Sequence, residues 1–169
     1  MISAGSATTN AFALLLQSLD QSLGVDYASL TQFVEHLASD AYIRLLSKCG
    51  KKLAPGGVLA VETQNPECLA IFSQSFYIDP THVKPIPSAL LRVLFQEAGL
   101  GKISTHYLSP ASASLPLIPQ LASKAVEPEA LEAWNKAAAR FNETFFGGMD
   151  YAVIGYRVAP LPAGSKSSS

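Results

Sequence analysis

The six residues Gly57-Val-Leu-Ala-Val-Glu62 constrain the fold of this chain more than any others. They are apolar without polar alternation, so a strand built from them must be covered on both faces. Strands of that kind belong to parallel α/β sheets, whose crossover helices lie on both sides. Ala54-Pro55-Gly56-Gly57 stops a preceding helix and turns the chain into the run.

Alternation continues on both sides of that strand. A strand is expected over Tyr27–Phe33 and a helix over Asp40–Leu53. Tyr42, Leu45, Leu46 and Cys49 form the helix's apolar stripe, with Arg44, Lys48, Lys51 and Lys52 mostly off it. Its cationic end suits a helix C-terminus. A short helix over Pro66–Ser73 and a Pro-rich loop over Phe76–Pro87 follow. Ser88–Ala98 reads as a helix with Leu90, Leu91, Leu94 and Phe95 inward, closed by Gly99. Then come a strand over Ile103–Leu108, an irregular connection over Pro110–Glu127, a helix over Pro128–Thr144 with Pro in its first turn, and a strand over Tyr151–Val158. Upstream, Asn10 is placed to cap a helix over Ala11–Leu19. The order strand, helix, strand, helix, strand, helix, strand predicts an α/β layer fold of four strands. Trp134 and Phe141, seven apart, read as a packing stripe. His106 sits in an apolar strand pattern and reads as structural. Residues 1–9 are small and polar and are expected to be loose. Residues 10–159 form the domain, and the tail 160–169 has almost nothing to bury and is expected to be disordered.

Composition narrows the function classes. Hydrophobic residues are 49% and charged residues 15% of the chain, which favours a buried core over disorder. A net charge of −1 leaves no electrostatic footprint for nucleic acid or an anionic membrane surface. No apolar run approaches the roughly 18 residues of a membrane helix, and Met1-Ile-Ser-Ala-Gly-Ser lacks the start of a secretory signal. Cys49 and Cys68 lie outside any CxxC pair, and no His/Cys group has zinc-ligand spacing, so no metal is expected. Two reduced, buried thiols in a cytoplasmic protein are the expectation.

Three segments in series carry a family likeness. They are Phe33-Val-Glu-His-Leu37 after a strand, Leu53-Ala-Pro-Gly-Gly-Val-Leu-Ala-Val-Glu-Thr63, and Phe76-Tyr-Ile-Asp-Pro-Thr-His-Val-Lys-Pro-Ile-Pro87 followed by a Leu-rich helix ending Glu97-Ala-Gly99. The series resembles the class I, Rossmann-like, S-adenosylmethionine-dependent methyltransferases, particularly bacterial ones associated with polysaccharide and O-antigen gene clusters. Phe146-Gly-Gly-Met-Asp-Tyr-Ala-Val-Ile154 looks like that family's last, antiparallel strand. The likeness covers residues 12–158 and implies a partial methyltransferase sheet: the fourth to seventh strands with flanking helices. The segment that should come first, a strand leading into GxGxG and a second strand with a ribose-binding carboxylate, is not found. The only GxG, Gly99-Leu-Gly101, follows a helix and precedes a strand, the reverse of a cofactor loop.

The resemblance implies methyl transfer from S-adenosylmethionine to a hydroxyl of a small molecule or sugar, with the cofactor-binding half absent. Such a chain would act as a split or truncated enzyme completed by an N-terminal half. The alternative is a non-catalytic remnant that binds a partner or ligand. Glu35 and His36 lie just past a strand end, where open α/β sheets bind ligands. Gln32, Phe33 and Glu35 are the implied cofactor neighbours, and Glu35, His36 and His82 the candidates for acid–base work. Glu35 and His36 could equally cap the next helix or form a satisfied buried pair. Asp79 and Thr81 are candidates for acceptor recognition, or simply shape a Pro-containing turn. Glu62 and Asn65, past the Gly57–Glu62 run, could touch the acceptor or belong to an ordinary loop. Without the family's central first strand, the Tyr27–Phe33 strand becomes an edge, to be covered by the Ala11–Leu19 helix or by a second chain.

Overall fold

In the computed structural model of the chain, residues 2–5, 17, 19, 21, 24–113 and 117–158 are described. At its centre lies β3, Leu53–Gln64, whose residues alternate between buried and half-buried along Gly57–Gln64. Neither face of that stretch is open to solvent, as the unalternating sequence requires. Parallel to it on one side runs β2, Val25–Thr31, in the register Tyr27↔Val58 to Thr31↔Glu62. On the other side lies β5, Gly148–Arg157, antiparallel to β3 from Val58↔Tyr156 to Gln64↔Asp150. β4, Leu100–Pro110, pairs antiparallel with the far edge of β5. The antiparallel last strand and the four expected strands are therefore all present in one sheet.

A fifth strand joins them. β1, Ile2–Gly5, pairs in parallel with β2 from Ile2↔Ala28 to Gly5↔Thr31, giving the order β1-β2-β3-β5-β4. This corrects two expectations. Residues 2–5 are not loose, and the open edge of β2 is closed by a strand of the same chain. Ladder pairing satisfies backbone groups that would otherwise have no partner, whatever the polarity of the side chains. Of the expected Ala11–Leu19 helix and its Asn10 cap, only residues 17 and 19 are described; Leu19 is buried in the core. The tail 160–169 also lies outside the described residues.

Helices cover the sheet. α1, Ser39–Lys52, buries Tyr42, Leu45, Leu46 and Cys49, the predicted stripe, with Asp40 in its first turn and Lys51 and Lys52 in its last. α2 is shorter than expected, Ala70–Gln74, because Asn65 first turns the chain. α3, Ser88–Glu97, buries Leu91 and Phe95 but leaves Leu90 exposed. β2 ends two residues before Phe33, where Gln32 adopts a left-handed φ of 49° and tips the chain into a 3-10 turn over Val34–His36. The main core joins Leu30, Phe33, Val34, Leu59, Val61, Leu91, Phe95 and Val153, among others, so it knits β2, β3, β5, α1 and α3 together. Cys49 and Cys68 are both free and buried. Among the described residues no helix is long and apolar enough to cross a membrane.

α4, Pro128–Phe145, departs from expectation. Only Ala138 of this helix is buried, and Trp134 and Phe141 are 49% and 43% exposed. Their stripe packs with Ala137, Ala138 and Ile118 around a shallow hollow of about 190 Å³ rather than against the core. Asn135 bonds the N–H and C=O of Leu121 at 2.7 and 2.9 Å, and Asn142 those of Ile118 at 3.1 and 2.8 Å. Those two amides, seven apart, strap the 117–121 segment along the helix.

Candidate active site at the end of β2

Inward positions of β3 alternate as Leu59, Val61 and Thr63. The period of two that carries apolar side chains into the core therefore delivers a hydroxyl at the strand's C-terminal end. There Thr63 Oγ1 donates to Glu35 Oε2 at 2.7 Å. Glu35 arrives on the 3-10 turn after β2, and both residues are fully buried. Among the described residues Glu35 Oε1 has no hydrogen-bond partner. Burial pushes the carboxyl of Glu35 above the usual carboxylate range, against the lowering effects of backbone and Thr63 hydrogen bonds.

The loop 79–83 folds back onto this turn. Val83 N donates to Glu35 O at 2.8 Å, and Tyr151 Oη anchors the loop's far end by donating to Ile86 O at 2.7 Å. Asp79 Oδ1 accepts from Thr81 N at 2.8 Å and from Thr81 Oγ1 at 2.6 Å. These two donors hold the Asp79 carboxyl below its ordinary value, so it is an acceptor. The same bonds are the local turn that the sequence allowed.

Hydrogen-bond bookkeeping then fixes both histidines. Thr81 Oγ1 has one hydrogen and gives it to Asp79, so His36 Nδ1, 2.7 Å away, must be the donor to that oxygen. His82 Nδ1 lies 2.7 Å from Phe76 O, a carbonyl that can only accept, so it too carries the proton. When neutral, each ring therefore keeps its lone pair on Nε2; that of His82 lies 4.0 Å from Asp79 Oδ2. The ring centroids are 4.6 Å apart, edge to face. One ligand-type atom from each of Glu35, His36 and His82 lies within 4.8 Å of those of the other two.

The structure thus brings together Glu35, His36, Asp79, Thr81 and His82. The capping alternative for Glu35 and His36 is not observed: Ala38 occupies the cap of α1, with no side-chain cap bond. Other candidates sit elsewhere. Phe33 is wholly buried in the core, leaving only its backbone for a ligand. Gln32 Nε2 donates to Asp150 Oδ1 at 3.1 Å. Glu62 precedes Thr63 on β3 and so faces the opposite side of the sheet from the Glu35 cluster. Asn65 is used structurally, donating to Gly148 O at 2.8 Å and accepting from Glu67 N at 3.0 Å. It lines a separate hollow of about 460 Å³ with Glu67, Cys68, Tyr107 and Glu143. His106 is exposed beside Ser104 Oγ at 2.9 Å. Thr63 is the residue the sequence undervalued; its signal was the polar member of an apolar inward series.

No protein-family model and no curated protein matches the chain. Solved structures do. An S-adenosylmethionine-dependent methyltransferase from Archaeoglobus fulgidus superposes with a TM-score of 0.79 at 23% identity, over 92% of this chain and 75% of that one. A possible histamine N-methyltransferase from Thermotoga maritima gives 0.54 at 12%, over 93% and 73%. An O-methyltransferase family protein from Burkholderia thailandensis gives 0.52 at 13%, over 86% and 33%. The chain has the α/β fold of the class I methyltransferases.

Proposed function

We propose that this chain forms the acceptor side of a methyltransferase active site and removes the proton of an acceptor hydroxyl. The observation that carries this reading is that His36 and His82 are both held through Nδ1 and are grouped with buried Glu35, past the C-terminal end of a parallel strand. An imidazole held in one tautomer by its second nitrogen is ready to accept a proton as the hydroxyl oxygen becomes the nucleophile. Asp79 and Thr81 orient His36; the Phe76 carbonyl orients His82. The acceptor is a small molecule or a sugar.

S-adenosylmethionine enters as methyl donor by resemblance, and the described residues do not fit it. The sequence has no GxGxG, the Gln32 side chain is engaged with Asp150, and Phe33 is in the core. On this reading that cradle comes from a glycine-rich half, on another polypeptide or within a longer gene product. S-adenosylhomocysteine release, measured with such a half and a panel of sugar alcohols, tests the reading. His36→Ala should lower kcat by roughly 10²–10⁴-fold. Undiminished turnover in both His36→Ala and His82→Ala would contradict the proposal.

A further inference from the structure

We propose that Glu35, His36 and His82 bind one divalent first-row transition-metal ion, through a Glu35 carboxylate oxygen and the Nε2 atoms of both imidazoles. Three independent observations converge on it. The first is proximity: one ligand atom of each residue lies within 4.8 Å of those of the others. Ligand atoms about 2.1 Å from an ion require modest side-chain rotation to close around it, and His36 is only half-buried.

The second is the Glu35 Oε1 atom, which lies in a fully buried residue and has no partner among the described residues. A buried carboxylate oxygen is costly unless something neutralises it. Raised proton affinity is one response to that burial; a cation is the other, and only a cation also uses the two neighbouring lone pairs. The third is the outer layer. Metal-binding histidines characteristically donate their second N–H to a carbonyl or to a carboxylate-linked group, which fixes the tautomer and ring orientation. His82 donates to the Phe76 carbonyl, and His36 to a threonine hydroxyl that is itself bonded to Asp79. A turn that served only the backbone would account for Asp79 and Thr81, but not for two imidazoles gathered beside a buried carboxylate; Asp79 Oδ2, 4.0 Å from His82 Nε2, adds a further negative group near the site.

Two imidazoles and one carboxylate suit zinc, iron, manganese or cobalt rather than magnesium, and leave coordination positions open. Sequence spacing gave no hint, because the ligands come from two loops far apart in the chain. Binding itself stands on the three ligands alone. The ion's role rests on the methyl-transfer reading and takes over from the imidazoles as base, since their Nε2 lone pairs would then be ligands: an acceptor hydroxyl at an open position would lose its proton more readily, to water.

Cobalt(II) titration of the full chain, followed by visible absorption and by zinc displacement, tests the site without donor or acceptor. One equivalent should bind and be displaced by zinc. His36→Gln and His82→Gln should each weaken binding at least tenfold, while His106→Gln, on the exposed part of β4, should not. Circular dichroism checks folding, and the two partly exposed histidines decide the outcome even where Glu35→Gln fails to fold. No saturable cobalt binding by the folded chain, binding unchanged in both His36→Gln and His82→Gln, or binding lost with His106→Gln overturns the proposal. Cobalt binding that persists while methyl transfer fails separates this site from the reading above.

Discussion

At the scale of single residues, burial sets the chemistry. Thr63 Oγ1 donates to Glu35 Oε2 at 2.7 Å, and both residues are fully buried. Thr63→Val keeps the shape but removes a buried hydrogen bond to the carboxylate, at a cost of about 1–3 kcal/mol. The melting temperature should fall by roughly 2–4 °C for each kcal/mol in a chain of this size, read by calorimetry; an unchanged value would mean the bond contributes nothing. Cys49 provides a pH test. Burial raises its thiol from an ordinary 9.0 to about 12. Burial, with nearby Glu35 next in effect, also pushes the Tyr151 phenol upward. Between the unfolded and folded values, the unfolded chain has lost protons that the folded chain keeps, so unfolding releases protons and stability falls as pH rises. Denaturant melts should therefore weaken progressively from about pH 9 toward 12, and Cys49 should resist alkylation at pH 8 until the chain unfolds.

At the scale of elements, close packing decides what each helix tolerates. A Cβ on Gly50 of α1 would lie 2.2 Å from the Ala98 carbonyl oxygen at the end of α3. Gly50→Ala must push the two helices apart, costing about 1–3 kcal/mol, which a urea melt would register as a lower midpoint. Elements with a clear apolar pattern were legible in the sequence: α1 and the core of β3 follow from theirs, and the antiparallel direction of β5 from the family resemblance. What escaped was decided by partners distant in the chain. β1 exists because β2 has a free edge, and Ile2–Gly5 alone carries no strand pattern. The Trp134–Phe141 stripe of α4 leaves both rings about half exposed, beside Ile118 of the 117–121 segment rather than against the core. Within the site, the residue types were legible, whereas the tautomers of His36 and His82 depend on Thr81, Asp79 and Phe76 and appear only once the loop has folded back.

At the scale of the whole molecule, the sheet is a frame that brings two loops to one place. Removing residues 2–5 should bare the edge of β2 and promote pairing between chains; light scattering should show a higher average mass than for the intact chain, and an identical mass would mean another segment guards that edge. The central claim is that the turn after β2 and the loop 79–83 meet with each imidazole donating through Nδ1. Long-range proton–nitrogen NMR of the histidine rings at pH 8 tests it most directly. We expect His36 and His82 to carry their protons on Nδ1, with both Nε2 atoms showing the shifts of a bare nitrogen. A bare Nδ1 on either ring would contradict the hydrogen-bond network from which the site is built.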